Sequence, residues 1–283
     1  MAVDATITWF ITGASRGLGR ALAEAVLVRS DDNVVATARH REDVATLIEQ
    51  FPGRVLCPCL DVLDAEAAER AVEAAIDAFG AIDVLVNNAG YGLLGAFEEL
   101  SDARVRQQFD VNLFGAMDVT RAVLPGMRRR GSGYILQISG MAGQSGLAGY
   151  SAYNASKFAP EGWSEALAVE VQEFDVDVAI VEPGQFRTDW AGSSLVRAPQ
   201  RDDYAASPAG DRLRRSADAE NGTQLGDPRR AAQVLMELVR SRDRPLRLPL
   251  GRDSVEEIRS HLLSQEKELT KWEALATSTD LEG

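Results

Sequence analysis

The stretch Thr6-Ile-Thr-Trp-Phe-Ile11, followed at once by Thr12-Gly-Ala-Ser-Arg-Gly-Leu-Gly19, decides the fold of this 283-residue chain. The first half is short, apolar and β-branched, as a buried strand is. The second half places glycines at 13, 17 and 19 and opens an apolar stripe, Leu18, Leu22, Ala25 and Val26, at helical period, with Arg20, Glu24 and Arg29 elsewhere. Strand, glycine turn and helix together suit a dinucleotide phosphate. The glycines let the backbone turn tightly and approach a pyrophosphate, whose charge is met by the N–H groups and dipole of the helix start. The spacing is Gly-x-x-x-Gly-x-Gly, and the alternative reading is a turn that holds nothing.

Working outward, β-branched runs at 33–38, 54–60, 82–87, 133–139, 176–181 and 245–248 alternate with helical patterns. With the first run this predicts an α/β fold: a doubly wound, Rossmann-type parallel sheet of about seven strands with helices on both faces. Asp64 and Ser101 stand as helix caps, and Gly80 and Gly131 as helix stops. Residues 1–283 read as one domain with no internal repeat. Two segments depart from the alternation. Residues 189–226 follow a strand's C-terminal end and are either a substrate lid or an irregular surface loop. Residues 252–283 form a C-terminal extension, helical and charged through about Leu275.

Composition narrows the partners. Apolar residues make up 45% of the chain and aromatics only 6%, which suits a Val/Ala/Leu-rich interior buried on both sheet faces. A net charge of −13 argues against nucleic acid or an anionic membrane. The charge-free stretch 131–156 is too rich in Gly, Ser, Gln and Asn to span a bilayer. The chain starts without the basic flank of a signal peptide, so the expected location is cytoplasmic. Cys57 and Cys59 flank Pro58 and should point to opposite faces of a strand, which disfavours a disulfide and predicts two buried thiols. With His40 and His261 far apart, no metal site is expected.

The chemistry concentrates in Tyr150-Ser-Ala-Tyr-Asn-Ala-Ser-Lys157. On a helix, Tyr153 and Lys157 share a face, and an ammonium beside a phenol favours phenolate and should pull its pKa down toward the working pH. Tyr134 and Tyr150 have no lysine four residues on. Among nearby serines, Ser139 ends the fifth predicted strand, whereas Ser145, Ser151 and Ser156 lie in the following loop or on the helix. At the end of the second strand, where an acid would select NAD(H), stands Thr37-Ala-Arg39. Arg39 and Arg16 together suit a 2′-phosphate and predict NADP(H), unless both merely pair with acids such as Glu42 or Asp43.

These motifs, with Asn87-Asn-Ala-Gly90 after the fourth strand and Pro183-Gly184 after the sixth, resemble the short-chain dehydrogenase/reductase family over about residues 7–188. The resemblance extends to an NADP-preferring subgroup of 17β-hydroxysteroid-dehydrogenase-like and ketoreductase members. It implies a cofactor site of Gly13, Ser15, Arg16, Gly17, Leu18, Gly19 and Arg39, with Asp61 and Val62 at the adenine end. Asn88, Ala89, Gly90, Pro183, Gly184 and Phe186 would line the cofactor, Phe186 standing where the family usually has a smaller aliphatic residue, with Thr188 at the nicotinamide carboxamide and Tyr153 and Lys157 against the ribose. It implies Ser139, Tyr153, Lys157 and Asn112 as the acid/base set, Asn112 in a proton relay. From the residues alone, Asn112 could equally bond a helix irregularity and Asp61 could cap the helix near Ala65.

The substrate side is expected from Ser139, Met141, Tyr153, Gln185 and Trp190, with Tyr91, Leu93, Leu94, Gln144 and Phe186 nearby, and its apolar character suits a hydrophobic ketone or alcohol. Pro160 should kink the helix after Lys157. The resulting expectation is an NADP(H)-dependent oxidoreductase interconverting a carbonyl and an alcohol, as a homo-oligomer (dimer or tetramer), with a monomer left open. Rival readings are a non-redox epimerase or dehydratase that keeps NADP(H) bound, and an NADP(H)-sensing binding protein.

Overall fold

Successive residues of a strand point to opposite sheet faces, and the core of this protein divides accordingly. In the computed structural model, which describes residues 6–281, Trp9 and Ile11 of β1 (Thr8–Ile11) face one apolar cluster and Phe10 between them faces the other. The same alternation holds in β2 (Asn33–Ala36), β4 (Val84–Asn87) and β6 (Gly133–Ile138). One face is covered by α1 (Gly17–Arg29) and α8 (Pro228–Arg240). The other is covered by α3 (Ala65–Phe79), α5 (Gly115–Arg130) and α6 (Ser151–Val171). Each fully buried leucine or valine in these clusters contributes about 2 kcal/mol.

The main sheet has seven parallel strands in the order β3-β2-β1-β4-β6-β7-β9, with β3 Val55–Leu56, β7 Val176–Pro183 and β9 Arg247–Leu250. The order runs one way from β1 to β3 and the other way from β4 to β9. The switch point between β1 and β4 opens a crevice at the carboxyl ends of the strands, where such sheets bind ligands. All seven predicted strands are present. β3 is cut to two residues because Pro58 has no N–H for the ladder, which resumes as a single bridge from Ala38 to Cys59.

The caps fall where expected. Asp64 accepts the Ala67 N–H at 2.9 Å to start α3, and Gly80 and Gly131 terminate α3 and α5. Asp64 therefore caps the helix that Asp61 might have capped. α6 stays helical through Pro160 as far as Val171. Cys57 is buried, but Cys59 is exposed, which corrects the expectation of two buried thiols. Past Pro58 the chain is leaving the sheet, and Cys59 Sγ only reaches the Arg39 carbonyl.

Residues 189–226 are structured. They hold β8 (Leu195–Arg197) and α7 (Asp211–Glu220), and β8 pairs in parallel with the short β5 (Gly92–Leu94), neither strand having been predicted. Both ends of the segment are pinned together, Arg187 N–H to Gly226 O at 2.8 Å and Gly226 N–H to Gln185 O at 3.1 Å. The last helix, α9 (Arg252–Thr277), is the charged extension expected, and beyond Ile258 its side chains are largely exposed.

Candidate active site

The glycine turn is held by the loop after β4. The Thr12 hydroxyl accepts the N–H groups of Asn88 and Ala89, each at 2.9 Å, and the Asn88 side chain donates to Thr12 O at 2.9 Å and Gly13 O at 3.1 Å. Gly13 has φ +65° and an added Cβ would come within 2.9 Å of Ala89 Cα. Gly19 is buried against Asn88 Nδ2 with no room for a Cβ. The start of α1 carries neither a side-chain cap nor an acidic residue in its first turn, so its N–H groups and dipole face the crevice unopposed. This cradle fits a pyrophosphate.

Arg16 and Arg39 are exposed and line the same crevice. Among the described residues neither forms an ion pair within 4 Å, so the pairing with Glu42 or Asp43 is not made. Asp189 is held below the usual carboxylate range by the hydroxyl and N–H of Ser193, with a smaller contribution from Arg16.

Ser139 follows directly on β6 and is 4% exposed. Its N–H is fixed to Val181 O at 2.8 Å, while its hydroxyl makes a long 3.5 Å contact to Lys157 O. Tyr153 lies in the first turn of α6, its ring 6.1 Å from that of Tyr150 and 5.4 Å from that of Trp190. Lys157, one turn on, is buried and donates to Ile138 O at 2.8 Å. Burial pulls the Lys157 ammonium down to about 8, with the Glu161 charge opposing. Burial, with Tyr150 adding to it, pushes the Tyr153 phenol well above the ordinary tyrosine value. The expected lowering by Lys157 is therefore not met: burial and Tyr150 raise the phenol, and the lysine nitrogen is engaged by a carbonyl.

Asn112 sits in a π-helical turn, Asp110–Phe114, between α4 (Asp102–Phe109) and α5. Its amide donates to Tyr91 O and Ser156 Oγ, both at 3.0 Å, and accepts the Tyr91 N–H at 3.1 Å. The residue thus bonds at a helix irregularity and ties α6 to the loop after β4. It is set back from the cavity wall, but its Oδ1 and Lys157 Nζ both lie against Gly90, at 3.1 and 3.8 Å from an added Cβ.

One cavity of about 550 Å³ joins these parts. At one end it is walled by Gly13, Ser15, Arg16, Gly17, Leu18, Arg39, Asp61 and Val62, with Asn88, Ala89 and Gly90 beside them. In the middle stand Ser139, Tyr153, Lys157, Pro183, Gly184, Phe186 and Thr188, and at the far end Met141, Gln185 and Trp190. Of the residues expected against cofactor or substrate, Gly19, Leu93, Leu94 and Gln144 do not line it, Gly19 lying behind the turn against the Asn88 side chain. Leu93 and Leu94 are fully buried on β5, Leu94 packing against Leu195, and Gln144 turns inward to two glutamates.

Sequence reasoning missed Leu147, Tyr150, Ala191, Val196 and Ala217, which complete the apolar end. Three of these come from the 189–226 segment, whose course no periodicity reveals. Tyr150, three residues before Tyr153 on the approach to α6, was the one with a usable signal. Among the described residues no group of three or more His, Cys, Asp or Glu is arranged for a metal, and no helix is long and apolar enough to cross a membrane.

The comparisons agree with this geometry. The short chain dehydrogenase family model matches residues 8–197, and the chain belongs to the short-chain dehydrogenase/reductase family. It is 40% identical over 254 residues to Oxidoreductase BOA17 of Botryotinia fuckeliana, covering 89% of this chain and 91% of that protein. A short-chain dehydrogenase from Streptomyces avermitilis has the same fold with a TM-score of 0.89 at 39% identity, covering 98% of this chain and 100% of that one. An alcohol dehydrogenase from Thermococcus sibiricus, solved with 5-hydroxy-NADP, matches with a TM-score of 0.71 at 25% identity over 87% of this chain and 96% of that one. The protein is an oxidoreductase of this family with a nicotinamide dinucleotide site.

Proposed function

We propose that the protein is an NADP(H)-dependent carbonyl reductase for apolar ketones or aldehydes. The observation that carries this is a single cavity with Arg16 and Arg39, which form no ion pair within 4 Å among the described residues, at its phosphate end and Ser139, Tyr153 and Lys157 at its centre. When bound, the nicotinamide supplies a hydride to the carbonyl carbon. Tyr153 donates its phenolic proton to the carbonyl oxygen, and burial keeps that phenol protonated and ready for the reductive direction. Ser139 donates a hydrogen bond to the same oxygen. Lys157, still mostly ammonium at neutral pH, holds the ribose side and stabilises the tyrosinate that proton transfer leaves behind. Asn112, through Gly90 and Tyr91, fixes the loop against which that lysine rests and belongs to the path by which Tyr153 is reprotonated.

The apolar end, formed by Leu147, Tyr150, Trp190, Ala191, Val196 and Ala217, supports a hydrophobic substrate, with residues 189–226 as its lid. Self-association to a dimer or tetramer is part of the same reading. The test is NADPH oxidation against a panel of apolar ketones. Tyr153→Phe should bind NADPH as tightly as wild type yet lose at least about a thousandfold in kcat, the order expected of a general acid. Retained turnover in that variant would sink the assignment.

A further inference from the structure

Behind Ser139, away from the cavity, lie the carboxylates of Glu161 on α6 and Glu182 on β7, only 4% and 1% exposed. The Gln144 amide bridges them, donating to Glu161 Oε2 at 3.0 Å and to Glu182 Oε1 at 2.9 Å. The Arg247 guanidinium from β9 is 3.3 Å from Glu161 and 3.7 Å from Glu182, but it is also 2.9 Å from Glu165 on α6. Arg247 thus faces three carboxylates. The other charged groups nearby are committed elsewhere, Lys157 to Ile138 O at 2.8 Å and Glu257 of α9 to the Ser145 hydroxyl at 2.6 Å. Two buried carboxylates beside one shared cation do not both ionise readily, so the pair retains a proton near neutrality. Burial pushes Glu161 up, and burial followed by the Glu161 charge pushes Glu182 up to about 7.

A second feature points from this pair to the active site. Glu161 Oε1 is buried without a hydrogen-bond partner. It lies with Ser139 Oγ against Gly143, where an added Cβ would sit 2.9 Å from Glu161 Oε1, 2.9 Å from Lys157 O, and on top of the serine oxygen. The Ser139 hydroxyl is close enough to offset part of the upward push on Glu161, yet its geometry leaves Oε1 unbonded. A serine has one proton to give. Beside an ionised Glu161 that proton turns toward the carboxylate. Beside a protonated Glu161 the carboxyl O–H donates to Ser139 Oγ, and the serine proton is free for a substrate oxygen.

We propose that Glu161 is a positioning residue: sharing one proton with Glu182, it turns its carboxyl O–H onto Ser139 Oγ and so aims the Ser139 proton at the substrate oxygen. This rests on the acid/base reading of Ser139 and Tyr153 given above. The test follows NADPH-dependent reduction of an apolar ketone across about pH 5 to 9 in wild type, Glu161→Gln, Glu161→Ala and Glu182→Gln. The wild-type kcat falls as pH rises through about 7, where the pair loses its proton. Glu161→Gln lacks that limb because its amide N–H stands in permanently for the carboxyl O–H. Glu161→Ala lowers kcat about tenfold and keeps KM within about twofold. Infrared difference spectra of the protein alone show one carboxyl losing its proton near neutrality, and the signal disappears in either Gln variant. A neutral limb unchanged in both Gln variants, or no carboxyl titrating in the wild-type spectra, overturns the proposal. If the infrared titration is present but the wild type reduces no ketone, the reductase reading fails and the shared proton stands.

Discussion

At the scale of single residues, the site is a set of groups whose ordinary properties are shifted by burial. Tyr153 is kept protonated and Lys157 is brought down to about 8, so the two sit closer in proton affinity to a reaction at neutral pH in one case and farther in the other. Spacing revealed that they belong together, since an i, i+4 pair shares a helix face. It could not reveal the sign of the tyrosine's shift, which is set by burial first and by Tyr150 second, with the lysine nitrogen already bonded to Ile138 O. The cofactor choice also belongs at this scale. Arg39→Ala should weaken NADPH binding about tenfold or more and leave NADH binding within about twofold, because one charge-assisted contact to a 2′-phosphate is removed. Titration of both nucleotides by quenching of tryptophan fluorescence measures it, and equal losses for the two would refute the arginine's role.

At the scale of elements, the strand–turn–helix unit and the positions of the caps were legible because they depend on local backbone chemistry. The 189–226 segment was not, because it is organised by distant partners. Its α7 is anchored by Arg214, which is 2.6 Å from the buried Glu99, and Glu99 also accepts the N–H groups of Ala96 at 2.8 Å and Arg201 at 2.9 Å. Burial opposes a charge on Glu99, but the N–H groups of Arg201 and Ala96 and the Arg214 guanidinium outweigh it and hold its carboxyl low. Nothing in the spacing of residues 99, 201 and 214 announces this cluster. Glu99→Ala leaves the Arg214 cation, itself nearly buried, without a partner. The expected cost is about 3 kcal/mol in urea unfolding, together with faster tryptic cleavage at Arg212, Arg214 and Arg215. Cleavage at the wild-type rate would show that the segment is held by its apolar contacts instead.

At the scale of the whole molecule, the alternating pattern was enough for the layers and the parallel sheet, since the central strands are buried on both faces and the helices that cover them on one. The inner acid cluster was hidden for a different reason: its members come from α6, β7, β9 and the turn after β6, far apart in the chain. Glu182 did carry a signal, a carboxylate in the otherwise apolar end of β7, just before Pro183-Gly184. The carboxyl-terminal elements contribute more to the site than their distance in sequence suggests. β9 supplies Arg247, while α9 supplies Asp253, which accepts the Gln185 N–H at 2.6 Å, and Ser254, which donates to Glu182 O at 2.7 Å. Termination after Arg244 should therefore leave a chain that retains most of its helical circular dichroism but has no measurable reductase turnover. Turnover above about a tenth of the full-length rate would show those contacts to be dispensable.

This arrangement also bears on biosynthesis. The ribosome delivers the nucleotide cradle first and the brace behind the acid/base groups last, some 230 residues after Gly13. A chain that has reached Arg244 has both α1 and the α8 that packs on it, without the elements that brace the acid/base groups. On the proposed reading, the order of synthesis thus separates nucleotide holding from chemistry, and the second waits until β9 and α9 have followed the cradle.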